Sequence, residues 1–203
     1  MMQKNGVLGA LPAILLVAAL AAPSAVNACV GRKLVLGALE DARQGMVSRI
    51  ISILIHERTG TTVEVKFYAA KEELMEDVLK DKVDLYVDYV EPALKRLNDD
   101  AGSLTGSERF RQVKRRYDEE MNLVWLKPLG FEGRTDKGES MGLAAVVVRK
   151  GTLKKFPALP RLLEKIGTRV ILDDHLLDSL VAKGQSVKPA RVAREFLKEK
   201  KLI

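Results

Sequence analysis

Apolar and polar positions alternate between two periods along this chain. Lys33 to Gly37 (KLVLG) is a short β-type run that ends in glycine. Gln44 to Arg58 places Met46, Ile50, Ile53 and Leu54 at helical spacing, and Thr59-Gly60 stops that helix. Thr62 to Phe67 alternates as a strand does. Lys71 to Lys80 returns to the helical period with Leu74, Met75, Val78 and Leu79 on one side, and Val83 to Val87 is a third strand. Strand, helix, strand, helix, strand at this spacing predicts right-handed βαβ units and a parallel sheet. Thr105 with Glu108 forms the sequence of a capping box and opens a helix to about Glu120. Leu123 to Leu126 is a fourth strand, ended by Lys127-Pro128. A polar, glycine-rich stretch runs from Gly133 to Gly142, and Leu143 to Val148 is a fifth strand. The remainder is helical: Phe156 to Ile166, Asp173 to Lys183, and a last helix after Pro189 with Val192, Phe196 and Leu197 apolar. The pattern shows no repeat and no linker long enough to separate two domains.

In a parallel α/β sheet, ligands bind beyond the carboxyl ends of the strands. There the sequence puts Ala38 to Ala42 after strand one, including Glu40 and Asp41. Tyr68 and Ala69 follow strand two, Asp88 and Tyr89 strand three, and Gly130 and Phe131 strand four. Aromatic residues make up only 5% of the chain, so three of them on one rim is a feature. The plain alternative is that they cap the sheet as core or edge residues. The functional reading is an aromatic surface for an apolar or cationic small molecule, since ring faces attract quaternary ammonium groups.

The 203 residues suit one domain of ordinary size. A single cysteine excludes a disulfide scaffold and a zinc ribbon. The formal charge of +7 comes from basic residues mixed with acidic ones, which describes a solvated surface rather than a nucleic-acid face. The first 28 residues have the pattern of an export signal: Lys4, an apolar stretch from Val7 to Ala22, and small residues up to Ala28. Pro12 and the short length argue against a permanent membrane span. Val26-Asn27-Ala28-Cys29 resembles a bacterial lipobox, with Asn27 departing from it. Cys29 is therefore a candidate lipid anchor, and ordinary cleavage after Ala28 is the alternative. Either route places the mature chain in the periplasm or on the outer face of the cytoplasmic membrane, away from intracellular nucleic acid. Arg111, Lys114, Arg115 and Arg116 then read as a solvated helix face, or one near anionic lipid or a membrane partner.

Three stretches resemble the substrate-binding proteins of ABC importers for glycine betaine, choline and related osmoprotectants. Val83 to Tyr89 (VDLYVDY) sits where that family has an aspartate-tyrosine segment. Leu123 to Phe131 (LVWLKPLGF) is similar to a family segment nearly letter for letter, and Val192 to Ile203 is similar to the family's usual ending. The resemblance implies a three-layer αβα, type II periplasmic-binding-protein-like fold, with a mostly parallel sheet of about five strands, one of them antiparallel. It also implies a quaternary ammonium ligand, an ABC permease subunit as partner, and no enzymatic activity or cofactor. Tyr89 matches the family's cage tyrosine, although Val90-Glu91-Pro92 replaces the family's threonine-glycine-threonine. Gly37 and Gln44 are what the first-strand loop keeps of the family pattern. The ligand-binding candidates are thus Tyr89, Tyr68, Asp88, Glu40, Gln44 and Phe131.

Members of that family are two-lobed clamshells. Here the segment from Glu132 to Gly142 is too short and polar to build a second lobe, so residues 29–203 resemble a single lobe with a short loop in its place. Half a cage binds weakly. An exposed aromatic contact contributes about 0.5–1 kcal/mol, whereas millimolar affinity needs about 4 kcal/mol. The missing wall could be a second copy of the chain, a separately encoded lobe, or the permease. The competing reading is an interaction module that docks on the permease and no longer binds ligand. A remote third is a serine hydrolase, from Gly138-x-Ser140-x-Gly142 followed by Asp173, Asp174 and His175. That motif needs a strand before the serine and a helix after it, and the pattern here is reversed. His56 and His175 lie in separate elements without a third ligand, so no metal site is expected.

Overall fold

A computed structural model describes residues 33–98, 102, 104–135, 137–170 and 172–203. The export signal and Cys29 lie outside the described residues. The elements in chain order are β1 (Leu34–Leu39), α1 (Ala42–Thr59), β2 (Val63–Tyr68), α2 (Lys71–Leu79), β3 (Leu85–Tyr89), α3 (Val90–Arg96) and α4 (Gly106–Glu120). Then come β4 (Leu123–Arg134), β5 (Ser140–Arg149), α5 (Lys150–Lys155), α6 (Leu159–Thr168), α7 (Asp174–Ser186) and α8 (Pro189–Glu199).

The five strands form one sheet in the order β2-β1-β3-β5-β4. β1 pairs parallel with β2 and β3, while β5 runs antiparallel to both β3 and β4. Four strands therefore share a direction and β5 opposes them. Because side chains alternate across a strand, each strand feeds two cores. Leu34, Leu36, Leu85, Val87, Val146 and Val148 pack with α1, α6, α7 and α8 on one face. Tyr86, Ala145, Val147 and Trp125 pack with α2, α3 and α4 on the other. The result is the three-layer αβα sandwich that the resemblance implies, built on the mostly parallel sheet that the alternating pattern predicts.

Local signals set several element ends. Asp41 caps α1 by accepting from the Gln44 amide at 2.8 Å, and Gly60 ends it at φ 69°. The capping box of α4 forms as expected between Thr105 and Glu108. Tyr117 of α4 and Phe110 pack edge-on against the buried Trp125, with centroids 5.5 and 5.9 Å away. Such pairs contribute about 0.5–1.5 kcal/mol each beyond area burial.

Three expectations change. The helix expected from Phe156 to Ile166 starts at Leu159, and a separate short helix, α5, ends before Phe156. The fourth strand does not stop at Lys127-Pro128 but continues to Arg134. β4 is an edge strand, where a residue without an N–H is tolerated, and its register shifts at Pro128 absorb the missing bond. Gly167 of α6 lies directly over this point: a Cβ built there would be 1.9 Å from the Pro128 carbonyl oxygen. The stretch from Glu132 to Gly142, expected as a loop, is mostly paired strand. Gly133 pairs with Gly142 and Arg134 with Ser140, and a turn closes through the Gly138 amide donating to the Thr135 carbonyl at 2.8 Å. β4 and β5 thus make a hairpin whose end projects past the pairing with β3, which stops at Tyr89–Ala144. The helix α3 was not foreseen. Its Pro92 lies in the first turn, where no intrahelical donor is required.

Candidate functional site

The carboxyl ends of β1, β2 and β3 and the projecting end of β4 all face one edge of the sheet. A cleft of about 760 Å³ opens there. β1 and the start of α1 supply Leu39, Asp41, Arg43 and Gln44. The start of α2 supplies Lys71, Glu72 and Met75, and β3 with α3 supplies Asp88, Tyr89, Pro92, Lys95 and Arg96. The hairpin adds Gly133, Arg134 and Met141.

Of the expected site residues, Tyr89, Asp88 and Gln44 line this cleft. Asp88 is fully buried. Its Oδ1 accepts from Lys71 Nζ at 2.9 Å and from the Tyr89 amide at 3.0 Å, and its Oδ2 accepts from Arg96 Nη1 at 3.2 Å. Lys71 also lies over the Tyr86 ring, 4.8 Å from its centroid, and Arg96 donates to the Tyr117 hydroxyl. Burial pushes the Lys71 ammonium below its ordinary pKa, and the Asp88 charge opposes this.

Tyr89 is 7% exposed and meets Phe131 edge-on at 6.3 Å. One side of its ring is covered by Gly133: a Cβ there would stand 2.5 Å from Tyr89 Cδ1 and 2.7 Å from Met141 Cε. Burial first, then the Asp41 charge, raises the Tyr89 hydroxyl well above the usual phenol range. Desolvation also raises the Asp41 carboxyl, and the N–H groups of Gln44 and Arg43 partly offset it. The Gln44 side chain is engaged locally, with its Oε1 accepting from the Leu39 amide at 3.0 Å.

The other three candidates lie elsewhere. Phe131 is a buried β4 residue beneath Tyr89, and the Arg43 guanidinium sits 5.6 Å above its ring. Tyr68 turns into the opposite core and donates to Asp77 Oδ2 at 2.9 Å, with Lys66 over its ring. Glu40 lines a smaller cavity of about 490 Å³ with Arg49, Phe67 and Pro189.

The residues that sequence reasoning missed are the cations. Five basic side chains line the cleft against three carboxylates. Arg43 bonds Asp174, pairs with Asp178 at 3.2 Å, and ties α1 to α7. One signal was available: Lys71 opens α2, where the helix dipole favours an acid and disfavours a base. Neither Lys95 nor Arg134 takes part in an ion pair among the described residues.

The cleft can hold charge and hydrogen bonds. Among the described residues its lining pairs no nucleophile with a base. Ser140 donates to Glu132 Oε2 at 2.8 Å and sits at the start of a strand, while Asp174 is engaged by Arg43 and by the Glu132 amide. The hydrolase arrangement is therefore not assembled. Among the described residues no group of three His, Cys, Asp or Glu is placed to hold a metal ion. No helix among them is long and apolar enough to cross a membrane.

Comparison with known proteins gives a consistent picture. The model of a family described as the substrate binding domain of ABC-type glycine betaine transport systems matches residues 32–138, just over half of the chain. That segment contains every cleft residue named above except Met141. Among solved structures, apo YehZ from Escherichia coli superposes with a TM-score of 0.71 at 14% identity, covering 86% of this chain and 100% of that one. A glycine betaine/carnitine/choline ABC transporter structure superposes with a TM-score of 0.73 at 12% identity, covering 85% and 99%. At these identities the likeness speaks to the fold. A search of curated proteins returned no significant match.

Proposed function

This chain belongs to the substrate-binding domain family of ABC-type glycine betaine transport systems, and we propose that it presents one wall of a solute site for such an importer. Proteins of this family bind small molecules and work with permease subunits. The observation that carries the proposal is the coincidence of the family-matched segment with the cleft-building segment.

In this reading the ligand is a quaternary ammonium osmoprotectant. Tyr89 and Asp41 on the lining support it, as an aromatic ring and a carboxylate suited to a cationic head group. The lobe is single, and its second wall comes from another copy, a separately encoded lobe or the permease. What supports this is the direct β4–β5 hairpin, which leaves five residues between the strands and one sheet among the described residues. Export through residues 1–28 and anchoring through Cys29 belong to the same proposal, and mass spectrometry of the mature N-terminus tests them.

A second reading has its own observation. Among the described residues Tyr89 is the only aromatic side chain on the cleft lining, and Gly133 covers part of its ring. A lobe that offers so little aromatic face fits a module that docks on the permease without ligand. Isothermal titration with glycine betaine, proline betaine and choline, alone and with the permease or a partner lobe, separates the two. Heat that appears only with a partner supports the solute site. Silence in every mixture, with the permease still captured, supports the docking module.

A further inference from the structure

We infer that the floor of the cleft carries an anion subsite between Lys71 and Arg96, so that the solute taken here bears a carboxylate or another small anionic group. The inference rests on the cleft being the solute site. It starts from a mismatch of charge. Two cations, Lys71 and Arg96, share the single buried carboxylate of Asp88. Both line the cleft, and each keeps about a fifth of its side chain exposed there, 19% and 23%, while Asp88 is closed off at 1%. One positive charge is thus left over on a partly desolvated floor, where an uncompensated charge is costly. Arg96 and Lys71 also repel each other.

The surroundings sharpen the mismatch. Lys71 is the first residue of α2, at the positive end of the helix dipole. The preceding Ala70 supplies no side-chain cap, so the first-turn N–H groups receive no side-chain acceptor from it. Glu72 offsets part of this charge. At the rim, Lys95 and Arg134 add two cations without ion-pair partners among the described residues. A monoanionic group seated between Lys71 and Arg96 would neutralise the excess and accept the free ammonium and guanidinium protons as charge-assisted bonds. A ligand that is only a cation meets this floor as a like charge. Glycine betaine and choline carry the same trimethylammonium group and differ in the carboxylate, which makes them a matched pair of probes.

The test has two arms. In the first, thermal melts of the whole mature chain compare sodium chloride, acetate and inorganic phosphate at constant ionic strength, which needs neither a partner nor the physiological solute. Acetate at about 100 mM raises the wild-type Tm by about 3 °C over chloride, and Lys71→Met abolishes the rise. Asp88→Asn releases both cations from their internal partner, so its Tm responds more steeply to acetate than the wild type does. A response to phosphate that exceeds the one to acetate assigns the group as phosphate rather than carboxylate. No anion-specific rise in the wild type, or a full rise retained in Lys71→Met, overturns the subsite. In the second arm, titration with a partner present gives binding of glycine betaine at least about tenfold tighter than choline. Equal binding of the two overturns the inference while leaving the solute-site reading intact. Binding of neither, alongside the acetate response, removes the solute reading and leaves the subsite.

Discussion

Replacing Asp88 by Asn tests whether the charge network on the cleft floor is also a structural support. The substitution preserves shape and removes the one anion that two buried-side cations share. Asp88 is fully buried and accepts three hydrogen bonds, from Lys71, Arg96 and the Tyr89 amide. Removing one partner of a buried ion pair costs about 3–5 kcal/mol, because the opposite charge is left uncompensated. Here Lys71 and Arg96 are about one fifth exposed, and the Asn carbonyl can still accept one bond, so the lower end applies, about 3 kcal/mol. For a chain of this length each kcal/mol moves the midpoint by about 2–4 °C, giving a fall of about 6–12 °C. Circular dichroism melts and urea titrations of wild type and Asp88→Asn at neutral pH and low salt measure it. A midpoint within about 2 °C of the wild type would refute the reasoning, because Lys71 and Arg96 would then not depend on that carboxylate.

Other perturbations address other parts of the fold. Gly167→Ala places a methyl group against the Pro128 carbonyl oxygen, 1.9 Å from a built Cβ; α6 must lift from β4, and melts should show a loss of at least about 1–3 kcal/mol. Thr105→Ala removes the α4 cap and should cost about 1 kcal/mol in urea denaturation, while Thr105→Ser should retain most of it. On the acid side, bonds from Lys66, Tyr68 and Lys82 hold the Asp77 carboxyl far below its ordinary value of 3.8. Its folded pKa is depressed, so its contribution is present above about pH 4 and is lost as pH falls through the folded value. Urea midpoints taken from pH 5 down to pH 2 should therefore fall, and Asp77→Asn should flatten that slope.

The order of strands and helices was legible because its causes are local. Period-two and period-3.6 runs, the Thr105–Glu108 box and the glycine after α1 each act within a few residues. The rim was legible for the same reason, since strand ends follow from the runs, and Asp88 and Tyr89 are rim residues in both readings. Pro128 reads as a stop, yet at the edge of the sheet its missing donor costs nothing to a neighbour. The charged floor was not legible. Lys71 meets Asp88 across 17 positions and Arg96 meets it across 8, and no periodicity links three residues on a helix start, a strand end and a second helix. Tyr68 and Phe131 were named from position on the rim, but a strand end does not say which face a ring takes. Tyr68 goes to the α2–α4 side, and Phe131 stays within the strand.

The two ends of β3 show why the charge excess at the cleft differs from ordinary scaffolding. At its amino end, the Asp84 side chain accepts from the Val35 amide at 2.9 Å, from Arg149 at 2.7 Å and from Thr152 at 2.7 Å, pinning β1, β3, β5 and α5 together. Arg149 is also shared with Asp81, so two carboxylates serve one cation, and neutral donors complete the set. At the carboxyl end the proportion is inverted: two cations serve Asp88, and no second carboxylate joins them in an ion pair among the described residues. A network whose sole task is to hold strands together can be completed by backbone and hydroxyl donors, as at Asp84. The Asp88 network instead keeps its extra cation facing a cleft of about 760 Å³. In the proposed reading, that placement gives an incoming anion something to neutralise, and it puts the recognition chemistry at the start of α2 and the end of α3 more than at the Tyr89 ring.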